Sequence, residues 1–318
     1  NFWKNKRVSI TGGEGFLGGH LVRLLKEKNP KKISIVSHDD YDLVNNEDVK
    51  KMYKTQKPDI VFHLAATVGG IGVNQKNPGK FFYENAMMNL QVIHNAYLAK
   101  IDKIISIGTV SVYPEKSAIP LVEKNIWEGY PQEEGAPYGI AKRIMHTHSL
   151  SYRKQYNFNS IMMILTNLYG PNDNFDKEKS HFLPALIKKI TQNKKVNNKS
   201  IEIWGTGKPR REFLHVDDMA NASFHIMNID KITYDKYSSS MCSHINVGSG
   251  KDLTISDLAS IIKDIVGYKG QIKFDSTKPD GTLRKLLDST RLKNLEWKPL
   301  TSLHDGLIKT YNDFIDTN

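Results

Sequence analysis

The chain holds one cysteine, Cys242, in 318 residues. A lone thiol excludes an intramolecular disulfide and a zinc site built on several thiolates, and it fits a reducing compartment. Nowhere is there a run of about 18 apolar residues, the minimum for a membrane-spanning helix. The segment Asn1 to Arg7 is polar and leads straight into a strand, so no signal peptide and a cytoplasmic location are expected. The 11 histidines never fall into a His-Glu-x-x-His pattern, and His146 and His148 point to different faces of one helix, so no metal site is expected. Acidic residues are in deficit, with 34 Asp and Glu against 45 Lys and Arg, a net charge of +11. The lysines are scattered and lack interleaved aromatics, which reads as a solvated basic surface that can attract an anionic small ligand. Neither nucleic acid nor a membrane is expected as a partner.

What remains is ordinary globular composition, 39% hydrophobic and 25% charged, long enough for two lobes and a full core. The first half alternates short apolar strands with helices. Strands are expected at Val8–Ile10, Ile33–Val36, Asp59–Phe62, Ile104–Ile105 and Ser160–Leu165. The intervening helices are expected at 17–28, 47–55, 78–100 and 138–154. This rhythm indicates an α/β fold, a Rossmann-type doubly wound parallel sheet whose ligand sits at the carboxyl ends of the strands. Beyond residue 168 the rhythm loosens, and Ile201–Trp204, Ile255–Val266 and Ile272–Phe274 suggest a smaller mixed α/β lobe. The expected division is residues 1–167 with about 212–247 for the dinucleotide, and about 168–211 with 248–318 for the substrate.

Thr11-Gly-Gly-Glu-Gly-Phe-Leu-Gly18 follows the first strand and opens a helix. Gly12, Gly15 and Gly18 permit a tight turn and a close approach of backbone N–H groups to a pyrophosphate. The second strand ends at Val36-Ser37-His38, without the terminal acid that favours NAD. Ser37 and His38 suit a 2′-phosphate, so NADPH/NADP is the expected cofactor, although Glu14 in the loop would repel that group. Tyr138-Gly-Ile-Ala-Lys142 sets a phenol and an ammonium on one helix face. A nearby cation is expected to lower the phenol toward phenolate and ready it for proton transfer at a carbonyl or alcohol. Tyr53-Lys-Thr-Gln-Lys57 has the same spacing but reads as a solvated polar helix before Pro58. Thr109, at the carboxyl end of the fourth strand, adds a hydroxyl beside Tyr138.

These residues resemble the extended short-chain dehydrogenase/reductases, and within them the GDP-L-fucose synthase group, along nearly the whole chain. The matching stretches are His63-Leu-Ala-Ala-Thr-Val-Gly-Gly70, Tyr138-Gly-Ile-Ala-Lys142, Asn167-Leu-Tyr-Gly-Pro-Asn-Asp-Asn174 and Ser180-His-Phe-Leu-Pro-Ala185. Trp204-Gly-Thr-Gly-Lys-Pro-Arg-Arg-Glu-Phe-Leu-His-Val-Asp-Asp218 and Lys278-Pro-Asp-Gly-Thr-Leu-Arg-Lys-Leu-Leu287 complete the set. The resemblance implies a GDP-linked 4-keto sugar, hydride transfer from NADPH to C4, and a homodimer. It implies that Tyr138 donates the proton, that Lys142 assists and binds the nicotinamide ribose, and that Thr109 takes the place of the usual Ser. It places Phe16, Leu17, Ala65 and Leu168 at the cofactor, and Asn167, His181, Lys189, Trp204, Arg211 and Lys285 at the substrate. A core role for Trp204 is the competing reading.

One departure stands out. Where the family reads Gly-Ser-Ser-Cys-Ile-Tyr-Pro, this chain reads Gly108-Thr-Val-Ser-Val-Tyr-Pro114, with Ser111 in place of the Cys that epimerises C3 and C5 together with a His. His181 matches that His, and Cys242 does not match the missing thiol. A thiol near pKa 8.5 can supply a base, whereas an unassisted hydroxyl cannot. The expected activity is C4 reduction without epimerisation, or with a weak residual step through His181 and Ser111, on a hexose or heptose derivative. A complete epimerase/reductase and a non-catalytic nucleotide sensor are the rival readings.

Overall fold

The computed structural model describes residues 2–69, 71–176 and 180–317. Chain order runs β1 (Arg7–Thr11), α1 (Phe16–Glu27), β2 (Lys32–Val36), α2 (Asn46–Gln56), β3 (Ile60–His63), α3 (Ile71–Lys76), α4 (Pro78–Leu98) and β4 (Lys103–Thr109). Next come α5 (Ala136–Tyr156), β5 (Ser160–Leu165), β6 (Asn167–Tyr169), α6 (Phe182–Lys195), β7 (Ser200–Trp204), β8 (Arg210–His215) and α7 (Val216–Asn228). The last elements are α8 (Lys231–Asp235), β9 (Ile245–Val247), β10 (Asp252–Thr254), α9 (Ile255–Val266), β11 (Gln271–Asp275), β12 (Arg284–Lys285), α10 (Thr290–Asn294) and α11 (Leu303–Thr317). No helix among the described residues is long and apolar enough to cross a membrane.

Six strands form one parallel sheet in the order β2-β1-β3-β4-β5-β9. The direction of winding reverses between β1 and β3, which opens a crevice at their carboxyl ends. Side chains two apart share a face, so β5 sends Ile161 and Met163 into one apolar layer and Met162 and Ile164 into the other. The first layer is closed by α1 and α7, the second by α2, α4 and α5. Tyr53 departs from the solvated reading of its helix. Val49, Met52 and Tyr53 share the buried face of α2, and the Tyr53 hydroxyl donates to Val92 O at 2.9 Å.

A third apolar cluster lies among α6, α9 and α11, with Leu186, Ile190, Leu258, Ile262 and Phe314 at its centre. Around it, β7 pairs with β11, and β8 pairs with β6, β10 and β12. Strand β8 brings Arg211 beside Lys285 of β12 and Leu214 beside Leu168 of β6.

The amine of Lys103, buried at the start of β4, ties the first layer to the sheet. It donates to Ile226 O, to Met227 O at 3.3 Å and to Ile229 O at 2.7 Å, the carbonyls at the end of α7. Those groups have no partner within the helix, and a cation complements the negative end of its dipole. Lys103→Met keeps the apolar stem and removes all three donors. It should destabilise the fold by about 1–3 kcal/mol, read as a lower urea midpoint at unchanged m-value.

Candidate active site

At the crevice, β1 turns into α1 through Gly12, which has φ +68°, where a Cβ would press on Ala65 N at 2.8 Å. A Cβ on Gly18 would collide with the Gly12 carbonyl, so α1 starts hard against the turn. Gly15 N donates to Gly12 O at 3.1 Å. No side chain caps α1 and its first turn holds no acid. The first amides therefore face outward as donors for an anion, in a cradle that side chains would fill. Phe16 and Leu17 open the helix half-buried, and Leu17 and Leu168 pack on the first apolar layer.

Beneath the turn runs a buried polar chain that the sequence reading did not single out. Thr11 Oγ1 accepts from Ala65 N at 3.2 Å and lies 2.7 Å from His63 Nδ1, and His63 Nε2 is 3.0 Å from Asn89 Oδ1. Burial, and then the nearby Lys142, push His63 down to about 3, so it is neutral and serves as a strut. At the end of β2 the Ser37 hydroxyl donates to Asp40 at 3.1 Å, while His38 and Glu14 are exposed.

The residues expected at the reacting centre come from β4 and α5. Ser111 N donates to Thr109 Oγ1 at 3.3 Å, and the Thr109 hydroxyl lies 3.5 Å from Ser111 Oγ. Helix α5 packs directly on this turn, because Gly139 lets its backbone meet the Ser111 carbonyl where a Cβ would clash. Tyr138, the neighbour of Gly139, is half-buried, and Lys142 Nζ lies 5.7 Å from the centre of its ring. The electrostatics differ from the sequence expectation. Burial pushes the Tyr138 phenol above its ordinary value and pushes the Lys142 amine down to about 7. Desolvation outweighs the attraction between ammonium and phenolate, and Tyr138 holds its proton at neutral pH. Among the described residues no acceptor or carboxylate pairs with Lys142 Nζ.

Across the crevice, Arg211 and Lys285 lie side by side. Arg211 donates to Arg210 O at 2.8 Å and to Thr282 O at 2.6 Å. Burial and the Arg211 charge both push Lys285 down. Two half-buried cations held together call for an anion. Asp280, the nearest acid, is occupied by Thr206, whose N and Oγ1 donate to it at 2.8 and 2.6 Å. Trp204 is 70% exposed, which overturns the core reading, and Lys278 Nζ lies 5.5 Å from the ring centre. Its open face is free to stack on a planar ring. Asn167 Nδ2 donates to Glu212 O at 2.9 Å. Lys189 reaches the Glu202 carbonyl, and exposed His181 stands at the start of α6, with no hydrogen bond joining it to Ser111. Among the described residues there is no group of three or more His, Cys, Asp or Glu fit to hold a metal ion.

Residues 8–239 match the NAD dependent epimerase/dehydratase family. The chain is 39% identical to the GDP-L-fucose synthase of Escherichia coli K12, over 98% of this chain and 97% of that protein. It superposes with a TM-score of 0.93 on a GDP-D-glycero-L-gluco-heptose synthase from Campylobacter jejuni solved with NADPH, at 33% identity and 99% and 100% coverage. A GDP-mannoheptose C4 reductase from the same organism, with NADP bound, gives a TM-score of 0.90 at 33% identity and the same coverage.

The unpaired amine of Lys142 costs stability. Its folded value lies near 7 and its ordinary value is 10.5, so between those limits the unfolded chain binds more protons and stability rises with pH. Lys142→Met should raise stability by about 0.5–2 kcal/mol. That gain should be largest at or below pH 7 and should fade toward pH 10.5, as followed by urea titrations across the range.

Proposed function

The chain belongs to the NAD dependent epimerase/dehydratase family, and we propose that within it this protein is an NADPH-dependent reductase of the C4 ketone of a GDP-linked 4-keto sugar. The proposal extends to the outcome of the reaction, in which C3 and C5 are not epimerised. One observation carries it: α5, with Tyr138 and Lys142, packs on the turn that holds Thr109 and Ser111, and by the sequence resemblance Ser111 stands at the position of the family's thiol. The similarity to GDP-L-fucose synthase and to two GDP-heptose enzymes supports the nucleotide and the reaction class. The heptose enzymes bind NADPH or NADP, and the uncapped start of α1 suits the pyrophosphate of that cofactor.

When bound, NADPH supplies a hydride to C4. Tyr138 gives its proton to the C4 oxygen, and burial keeps the phenol protonated at rest, the form that reduction requires. Thr109 orients the same oxygen. Lys142, sparsely solvated, donates to the nicotinamide ribose and stabilises the phenolate left after transfer. Arg211 and Lys285 hold the diphosphate or its sugar end, Trp204 stacks on guanine, and Asn167, His181 and Lys189 complete the substrate side. In this reading residues 1–167 with about 212–247 carry the cofactor, and about 168–211 with 248–318 carry the nucleotide sugar.

Epimerisation needs a base at the carbons flanking the ketone. Among the described residues Ser111 Oγ has only the Thr109 hydroxyl near it as a hydrogen-bonding partner, and a hydroxyl so placed does not ionise at neutral pH. A second copy of the chain is assigned to the face of α4 and α5, where Leu90, Ile140, Ile144 and Trp127 line an open apolar groove.

Turnover of GDP-4-keto sugars with NADPH in D2O, read by NMR, tests the reaction. Oxidation of NADPH with reduction at C4 and no deuterium at C3 or C5 is expected. Deuterium at both, with an inverted sugar, would overturn the reductase-only reading and restore an acid/base role to His181 and Ser111. Tyr138→Phe should lower kcat by about 100-fold or more while NADPH binding survives, and an unchanged rate would sink the mechanism.

A further inference from the structure

Ser111 and Lys285 also line a cleft whose other polar groups, Ser117, Gln132 and Thr282, the mechanism above does not use. Its walls are the turn after β4 and the segment entering β12, and they present Ser111, Ser117, Gln132, Thr282 and Lys285. Three of these side chains have hydrogen-bonding capacity to spare. Ser117 Oγ is buried with no partner. Thr282 donates to Gln132 Oε1 over a long 3.4 Å. Among the described residues the side-chain nitrogen of Gln132 has no acceptor. Gly135 leaves room beside Ser111, since a Cβ there would stand 4.0 Å from Ser111 Oγ.

We propose that this cleft is a subsite for the hydroxylated C6–C7 end of a seven-carbon glycosyl group, with Gln132, Thr282 and Ser117 as specificity-determining residues. The inference rests on the C4-reductase reading. In that reading Thr109 holds the C4 oxygen, its hydroxyl is 3.5 Å from that of Ser111, and the ring is proposed to lie with C5 on the Ser111 side. With C5 on that side, a substituent that continues from it through C6 enters the cleft that Ser111 lines. Hydroxyls at C6 and C7 would accept from the Gln132 amide and exchange hydrogen bonds with Thr282 and Ser117. A 6-deoxy methyl group would leave these polar atoms unpaired in a site it has dried, which is the stronger form of discrimination.

The test compares kcat/KM for a GDP-4-keto-heptose and for GDP-4-keto-6-deoxy-mannose in wild type, Ser117→Ala and Gln132→Leu. Thermal melting and NADPH binding establish that each variant is folded. The wild type is expected to favour the heptose, and each variant should lower the heptose-to-deoxyhexose ratio about tenfold or more. Equal losses on both substrates, or an unchanged ratio, would overturn the subsite. If the wild type favours the six-carbon substrate, the subsite fails while the reductase reading stands. If it reduces neither, the reductase reading fails and takes the subsite with it.

Discussion

The crevice depends on one buried carboxylate, Glu212. It has no solvent exposure, and its two oxygens accept from Gly250 N at 2.7 Å and Leu287 N at 3.0 Å. Its backbone carbonyl accepts from Thr166 Oγ1 at 3.2 Å and Asn167 Nδ2 at 2.9 Å. One residue thus fixes the ends of β5 and β6, the loop after β9 and the segment after β12. Its sequence neighbour Arg211 and the nearby Lys285 are both placed as a consequence. Burial raises the carboxyl group, and the acceptor-only geometry around it favours the ionised form. Removing its side chain would leave two backbone donors, Gly250 N and Leu287 N, unpaired at the junction that places Arg211 and Lys285.

Two cations of that junction stand beside each other in the sheet. Surface ion pairs such as Lys6 with Asp102 are common here and contribute little. Arg211 and Lys285 are half-buried, adjacent and of one sign, an arrangement that raises the energy of the free protein and that, in the proposed function, a diphosphate would relieve. The net charge of +11 adds a weaker, salt-sensitive attraction of the same sign.

Much of this was legible in the sequence because its signals are local. Alternating apolar runs gave the sheet, and the glycine spacing gave the turn into α1, since both follow from backbone geometry within a few residues. Trp204 and the pair Arg211 and Lys285 entered through resemblance alone, as their spacing carries no chemical signature. Long-range contacts were not legible. Tyr53 looks polar by its neighbours and is buried by α4. Glu212 looks like one charge in a run and is an internal clamp. The Tyr138 phenol moved opposite to the expectation because its neighbours in sequence do not disclose how much water the packing of α5 removes.

Lys103 and Lys142 show where a shifted pKa acquires functional meaning. Burial brings both amines to about 7, so the shift alone does not distinguish them. Lys103 spends its protons on the carbonyls at the end of α7, so the fold itself pairs its amine. Lys142 is equally desolvated, yet its neighbours are the Tyr138 ring and neutral His63, and neither accepts a hydrogen bond from it. A fold that can satisfy one buried lysine and leaves another unsatisfied at the carboxyl end of its sheet has kept that position for a group it does not encode. The same contrast separates the paired hydroxyl of Tyr53 from the unpartnered hydroxyl of Ser117. Unmet hydrogen-bonding capacity at the crevice is therefore what the proposed substrate and cofactor would satisfy.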